Sequence, residues 1–306
     1  MIRKFSMDNE MERKDGITAA IAAAKRGDLV VLPTDTVYGL GTDAFSQKGP
    51  QKLLAAKGRD RNMPIPVLVG HVKALDGLAQ RVDGVTKALA EAFWPGPLTL
   101  LLPKKSNIPH DVTSGSHLVA VRIPDHSVAL SLLKQLDFPL VAPSANPYTR
   151  ISPTNAKMVY DYFGDDLPVI LEGDICSKGI ESTIVGFHDN APVIYRQGAI
   201  SVDAIEFIAG KSKVLATKNE KVTTPGMSPM HYAPRTRFQI VDCISNFIIQ
   251  NPILHIGVLT LGKTAIEQPN TTSIDLSIMG DLEEASANLY KSMYELDGME
   301  LDCIII

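Results

Sequence analysis

An α/β fold in two unequal units is what this 306-residue sequence predicts. Three observations carry that expectation. Apolar runs of strand length alternate with helical segments over residues 1–210. A weakly periodic, proline-interrupted stretch follows over residues 211–237, the composition of a connector rather than of an element. A shorter alternation of strand and helix patterns then fills residues 238–306. The length suits one large domain plus a small one.

The bulk properties narrow the class. With 45% hydrophobic and 21% charged residues the chain has an ordinary globular composition. A net charge of −4 argues against a generally basic nucleic-acid binder, though not against a local basic groove. No apolar run approaches the roughly 18 residues of a membrane span, and the N-terminus lacks a signal-peptide pattern. Three scattered cysteines make neither a disulfide framework nor a paired metal motif, and the seven histidines show no ligand spacing. A soluble, reduced, cytoplasmic protein without a membrane partner is expected.

In chain order, alanine-rich residues 17–26 predict a helix that Gly27 and Asp28 stop, and residues 29–32 predict a buried strand. That strand runs into Pro33-Thr34-Asp35-Thr36-Val37-Tyr38-Gly39-Leu40-Gly41. Its hydroxyls and glycines fit a ligand-facing edge and equally a polar turn. A short helix over 51–56 leads to Lys57-Gly58-Arg59-Asp60-Arg61, three cations in five residues, and residues 64–69 turn strand-like. Lys offers a mobile point charge and Arg a planar donor fork, a pairing suited to phosphates or carboxylates; a solvated basic turn is the plain alternative.

Helices are expected over 72–80 and 85–93, the second stopped by Trp94-Pro95-Gly96-Pro97, with strands over 98–102 and 119–124. Arg122 interrupts the latter and needs a partner, either a structural Asp or Glu or a substrate carboxylate. A helix over 128–136 and a strand over 139–142 lead into Pro143-Ser144-Ala145-Asn146, small polar groups after a strand. Ser152 with Pro153 reads as the start of a helix reaching 163. Strands over 169–171, 182–187 and 193–196 and a helix over 202–209 complete the large unit. In the small one, strands are expected over 238–241, 255–261 and 303–306 and a helix over 282–296.

Gly257-Val258-Leu259-Thr260-Leu261-Gly262-Lys263-Thr264 fits the P-loop expression, but residues 258–261 are themselves the best strand candidate. No loop is left to wrap a phosphate, so the motif is declined.

Taken together, Pro33 to Gly41, Lys57-Gly58-Arg59, Trp94-Pro95-Gly96-Pro97, Val119 to Pro124, Pro143 to Asn146, Glu181-Ser182-Thr183-Ile184 and Arg196-Gln197-Gly198 resemble the L-threonylcarbamoyladenylate synthase family. Pro225-Gly226-Met227 and His231-Tyr232-Ala233-Pro234 extend the resemblance to the family's longer form. Each motif is weak alone; the ordered set covers nearly the whole chain.

The resemblance implies a YrdC-like twisted mixed sheet with helices (1–210), a linker that lies over the active site as a lid (211–237), and a small Rossmann-like α/β domain (238–306). It implies joining L-threonine, bicarbonate and ATP into threonylcarbamoyl-AMP with release of pyrophosphate, for downstream tRNA threonylcarbamoyl-transfer machinery. Lys57, Arg59, Ser144 and Asn146 match the set that holds the nucleotide's phosphates, with Lys57 and Arg59 as the catalytic pair, and Ser152 and Arg196 match further ATP contacts. Thr36, Arg122, Ala142 and Ser182 match positions around threonine, Arg122 taking its carboxylate. His231 and Tyr232 belong to the lid. Mg²⁺ is expected to arrive with ATP rather than in a protein cage; direct contact with tRNA is left open.

Leu68 stands where relatives often have a histidine, and Pro229 where some have an aromatic residue. The last expected strand ends the chain where relatives continue, so the small domain is expected to be incomplete. A tRNA- or double-stranded-RNA-binding module without chemistry is the alternative, against which Ser144, Asn146, Ser182 and Arg196 argue, because a charge-driven RNA binder needs Lys and Arg. A carbamoyl-transfer domain of the hydrogenase-maturation type would bring zinc-finger cysteine pairs that this chain lacks.

Overall fold

A computed structural model describes residues 3–6, 9–59, 63–189, 191–215, 232–263, 266 and 268–306. Eleven of the described strands form one mixed sheet. Its order is Arg3–Ser6, Val169–Glu172, Val30–Leu32, Gly39–Asp43, Leu140–Val141, Val67–Leu68, Leu118–Arg122, Leu98–Pro103, Thr183–His188, Ala191–Arg196 and Lys213–Val214. Four parallel strands, in the order Arg237–Gln239, Cys303–Ile305, Ile256–Thr260 and Thr271–Asp275, make a separate sheet.

The short apolar runs are apolar throughout because both faces of the large sheet are covered. Successive side chains on a strand point to opposite faces, and here they enter different cores. Val30 and Leu32 join Leu68, Leu140, Val169 and Leu171 under the helices Glu10–Lys25 and Ser127–Leu133. Val31, Val67, Val141 and Ile170 join Leu53, Leu89 and Leu100 on the other side. Helix Glu10–Lys25 carries a buried alanine stripe, so it lies close against the sheet.

Several boundaries depart from expectation for identifiable reasons. The first helix begins at Glu10 rather than 17, because Asn9 caps the amides of Met11 and Glu12 ahead of the apolar stripe. Residues 72–80 yield only a 3-10 turn, Val72–Ala74, and a single turn, Leu75–Leu78; Ala79 leaves to bridge Lys104. Ser152 is not a helix cap: Asn155 accepts from the Met158 amide at 3.0 Å and starts Ala156–Phe163. The stretch over 33–41, read equally as a ligand-facing edge and a polar turn, continues into the strand Gly39–Asp43. Lys213–Val214 pairs with the large sheet beyond the expected limit at 210. The strands Arg3–Ser6 and Thr271–Asp275 and the helix Ile244–Gln250 lacked a clear period and were not anticipated.

The small unit packs on the large one through the helix Leu282–Asp297. Tyr290 and Met293 share a cluster with Val37, Ile151 and Met158. Tyr294 donates to Asp161 at 2.8 Å. Gly179, at φ +65°, permits a backbone approach there: a Cβ would lie 2.5 Å from the Cα of Ala287.

Candidate active site

Loops at the ends of buried strands converge on one cavity at the face of the large sheet. Lys57 closes the helix Gly49–Lys57, and Gly58 in the left-handed region turns the chain so that Arg59 follows inward. Both are buried, at 4% and 7% exposure, which excludes a solvated turn for these two cations. Arg61 lies outside the described residues.

The Lys57 ammonium donates to the backbone carbonyls of Ser144 and Asn146 and to Asn146 Oδ1. It therefore staples the 144–146 loop, whose Asn146 amide group also donates to Arg150 O at 2.7 Å. Burial, joined by the Arg59 charge, pushes the Lys57 pKa well below the ordinary lysine value, while Glu181 acts in the opposite direction. Arg59 donates from Nη2 to Pro64 O at 2.9 Å. Its Nε is buried with no partner among the described residues. Burial lowers the Arg59 pKa to about 10.

Arg122 ends the strand Leu118–Arg122 and is held from three sides. Nε donates to Gly96 O at 3.0 Å, Nη1 to Thr36 Oγ1 at 2.7 Å, and Nη2 to Asp35. The Trp94-Pro95-Gly96-Pro97 segment thus supplies a backbone wall for the guanidinium. Burial lowers the Arg122 pKa, and Asp35 counteracts it. Of the two partners open to Arg122 from sequence, the structural acid is present in Asp35. Two of five N–H donors remain for another acceptor. Thr36, having accepted from Arg122, lies 3.0 Å from Thr34 Oγ1, and Thr34 donates to Val37 O. The one proton of Thr34 is spent, so Thr36 donates to Thr34 and faces the cavity as an acceptor.

Arg196 donates to Ser182 O from Nε at 3.1 Å and from Nη2 at 2.9 Å, and to Tyr232 Oη at 3.2 Å. Ser182 Oγ lies 2.7 Å from Thr99 Oγ1. Behind them Glu181 accepts from Ser152 Oγ at 2.6 Å and from Tyr290 Oη at 2.6 Å. Gly198 makes this corner feasible: a Cβ there would lie 2.3 Å from Glu181 O.

Thr36, Lys57, Arg59, Arg122, Ala142, Ser144, Asn146, Ser182, Arg196 and Tyr232 all line the cavity. Ser152 is fully buried behind it, and His231 lies outside the described residues. Sequence reasoning passed over Asp35, Thr99, Tyr148 and Glu181 as site residues. Asp35 was legible, being an acid in a motif close to an arginine that required one; Thr99 and Tyr148 carry no sequence signal of their own. Chemically, the arrangement can take an anion, since Lys57, Arg59, Arg122 and Arg196 line one cavity with a single carboxylate among the described residues. Among the described residues no nucleophile–base pair lines it, and the nearby Cys176 thiol is pushed up to about 12, chiefly by burial. What it offers chemically is positioning and electrostatic stabilisation.

Comparison with known proteins shows the family. A family model described as "Telomere recombination", covering Sua5, YciO and YrdC proteins, matches residues 22–198. A second, "Threonylcarbamoyl-AMP synthase, C-terminal domain", matches residues 200–306. The chain is 33% identical to a threonylcarbamoyl-AMP synthase of Pyrococcus abyssi over 97% of its length and 90% of that protein's. It is 34% identical to one from Bacillus subtilis over 94% and 86%. The crystal structure of P. abyssi Sua5 complexed with L-threonine superposes with a TM-score of 0.88 at 30% identity, covering 100% of this chain and 91% of that one.

Proposed function

The chain belongs to the Sua5/YrdC family in its two-domain form and is a threonylcarbamoyl-AMP synthase of tRNA threonylcarbamoyladenosine modification, and on that premise we propose how its residues divide the work. The single observation that carries the division is the convergence of Lys57, Arg59, Arg122 and Arg196 on one cavity with two distinct hydroxyl clusters.

Arg59 and Arg196 bind the ATP phosphates directly, while Lys57 adds its charge and holds Ser144 and Asn146 in place for the same task. Arg59 Nε, a buried donor without a described partner, supports this reading. Ser152 acts on the nucleotide through Glu181. Threonine lies beside Thr36, Arg122, Ala142 and Ser182: the remaining Arg122 donors take its carboxylate, and Thr36, an acceptor here, suits its ammonium or hydroxyl. The amine of threonine, having given its ammonium proton to solvent, attacks bicarbonate, and loss of water from the adduct leaves a carbamate; the carbamate oxygen then attacks the α-phosphorus of ATP, expelling pyrophosphate. Both steps crowd negative charge, which the buried cations offset without covalent participation.

Among the described residues no group of three or more His, Cys, Asp or Glu could hold a metal. The donor set of this wall, one carboxylate amid cations, fits Mg²⁺ carried on ATP oxygens, where it would neutralise the leaving pyrophosphate. Residues 1–210 are the catalytic domain, extended by Lys213–Val214, and 238–306 the C-terminal domain, with the connector between them as lid. Tyr232 on the cavity wall supports the lid assignment. Among the described residues no helix is long and apolar enough to cross a membrane.

Incubation with ATP, bicarbonate and threonine tests the reading. Pyrophosphate and the threonylcarbamoyl adenylate form only with all three present. Absence of threonine-dependent pyrophosphate would overturn it, and retention of tRNA affinity without turnover would favour the RNA-binding alternative.

A further inference from the structure

Glu181 is the one carboxylate among the described residues lining the cavity, and Lys57, Arg59 and Arg196 share that wall. A carboxylate free to turn there would pair with these cations and compete with an anionic substrate. Yet Glu181 makes no ion pair among the described residues. Both oxygens are taken by neutral donors at 2.6 Å, Oε1 by Ser152 of the large unit and Oε2 by Tyr290 of the small one. Ser152 and Tyr290 are 0% and 6% exposed, so water does not compete for them.

The helix bearing Tyr290 is fixed against the large unit. Gly179 admits the backbone of Ala287, one turn before Tyr290. Tyr232 packs on the Tyr290 ring with centroids 5.9 Å apart, and its hydroxyl accepts from Arg196.

We propose that Tyr290 is a positioning residue for the nucleotide site: together with Ser152 it holds the Glu181 carboxylate back from Arg59 and Arg196 and from offsetting the Lys57 charge, so that the phosphates of ATP meet these cations uncompensated. The C-terminal domain thereby tunes ATP affinity through one hydrogen bond. This rests on the phosphate assignment made above for those cations.

The test is ATP affinity by calorimetry, alongside the KM values for ATP and threonine, in the full chain. Tyr290→Phe weakens ATP binding about tenfold, the scale of one hydrogen bond to a charged group, and leaves threonine KM near the wild-type value. In a Glu181→Gln background the same substitution has no further effect, since no anion remains to be released. Tyr294→Phe, on the same helix but bonded to Asp161 instead, leaves ATP affinity unchanged. Wild-type ATP binding by Tyr290→Phe overturns the proposal. So does an equal loss in both backgrounds, which marks a structural role. If Tyr290→Phe does not fold, Ser152→Ala carries the same comparison: its effect vanishes in Glu181→Gln if Ser152 acts through the carboxylate, and persists if it does not. Arg59→Ala in the same assay separates the two levels. Unchanged ATP affinity there removes the phosphate assignment itself, whereas a loss there with none for Tyr290→Phe removes only the role of Tyr290.

Discussion

Replacing Arg122 by Ala deletes three hydrogen bonds and the only cation bonded to Asp35 among the described residues. Asp35 is 4% exposed, and its carboxylate would keep the Asp125 amide at 3.0 Å as its described donor. Stranding one member of a buried pair costs about 3–5 kcal/mol of stability. The substrate loses a charge-assisted contact worth about 1.5–3 kcal/mol, a rise of about 10- to 150-fold in threonine KM. These two consequences separate experimentally. The double variant Asp35→Asn/Arg122→Gln has no stranded charge and recovers much of the thermal midpoint, but not threonine affinity. Thermal unfolding reports the first effect and pyrophosphate release against threonine and ATP concentration reports the second. Equal increases in the KM for ATP and threonine would refute the carboxylate role, and an unchanged midpoint in Arg122→Ala would refute the stranded-charge argument.

Three further outcomes follow from particular contacts. Lys57→Gln lowers ATP affinity and the thermal midpoint together, because Lys57 both charges the site and staples the loop at 144–146; Arg59→Ala, with its one described bond to Pro64 O, affects affinity far more than stability. Gly198→Ala forces a methyl against Glu181 O, destabilises by about 1–3 kcal/mol, and lowers turnover, readable from the midpoint and pyrophosphate release. Cys176, raised from 9.0 to about 12, retains its proton in the fold, so its contribution to stability is complete below about pH 9 and lost as pH rises through about 12. At pH 8.5 iodoacetamide should modify exposed Cys243 and spare buried Cys176 and Cys303; mass spectrometry of the native protein showing early alkylation of Cys176 would contradict this.

The α/β class, the two-unit division and the segments that build the cavity were legible in the linear chain. Strands buried on both faces must be continuously apolar, and glycines and prolines punctuate them, so Val30–Leu32, Leu98–Pro103 and Leu118–Arg122 announced themselves. Motif residues could be tied to anion binding because buried Lys and Arg demand partners wherever they fall. Less legible were elements whose stability is tertiary. Gly39–Asp43 pairs on both edges and needs no apolar period of its own, and Thr271–Asp275 is an edge strand with partly exposed side chains.

What the sequence by itself determined is therefore the family, through motifs that hold Lys57, Arg59, Arg122 and Arg196 among small hydroxyls and amides, the side chains to which we assign the chemistry. Only the tertiary structure decided who each of them answers to. Lys57 spends its protons on the loop at 144–146, Arg122 is shared with Asp35, and Ser152, read as a helix cap, turns instead to Glu181 beside Tyr290 of the other domain. The reason is physical. A residue's chemistry is local, but a buried proton goes to whichever acceptor the fold brings within 3 Å or so, and those acceptors come from distant parts of the chain.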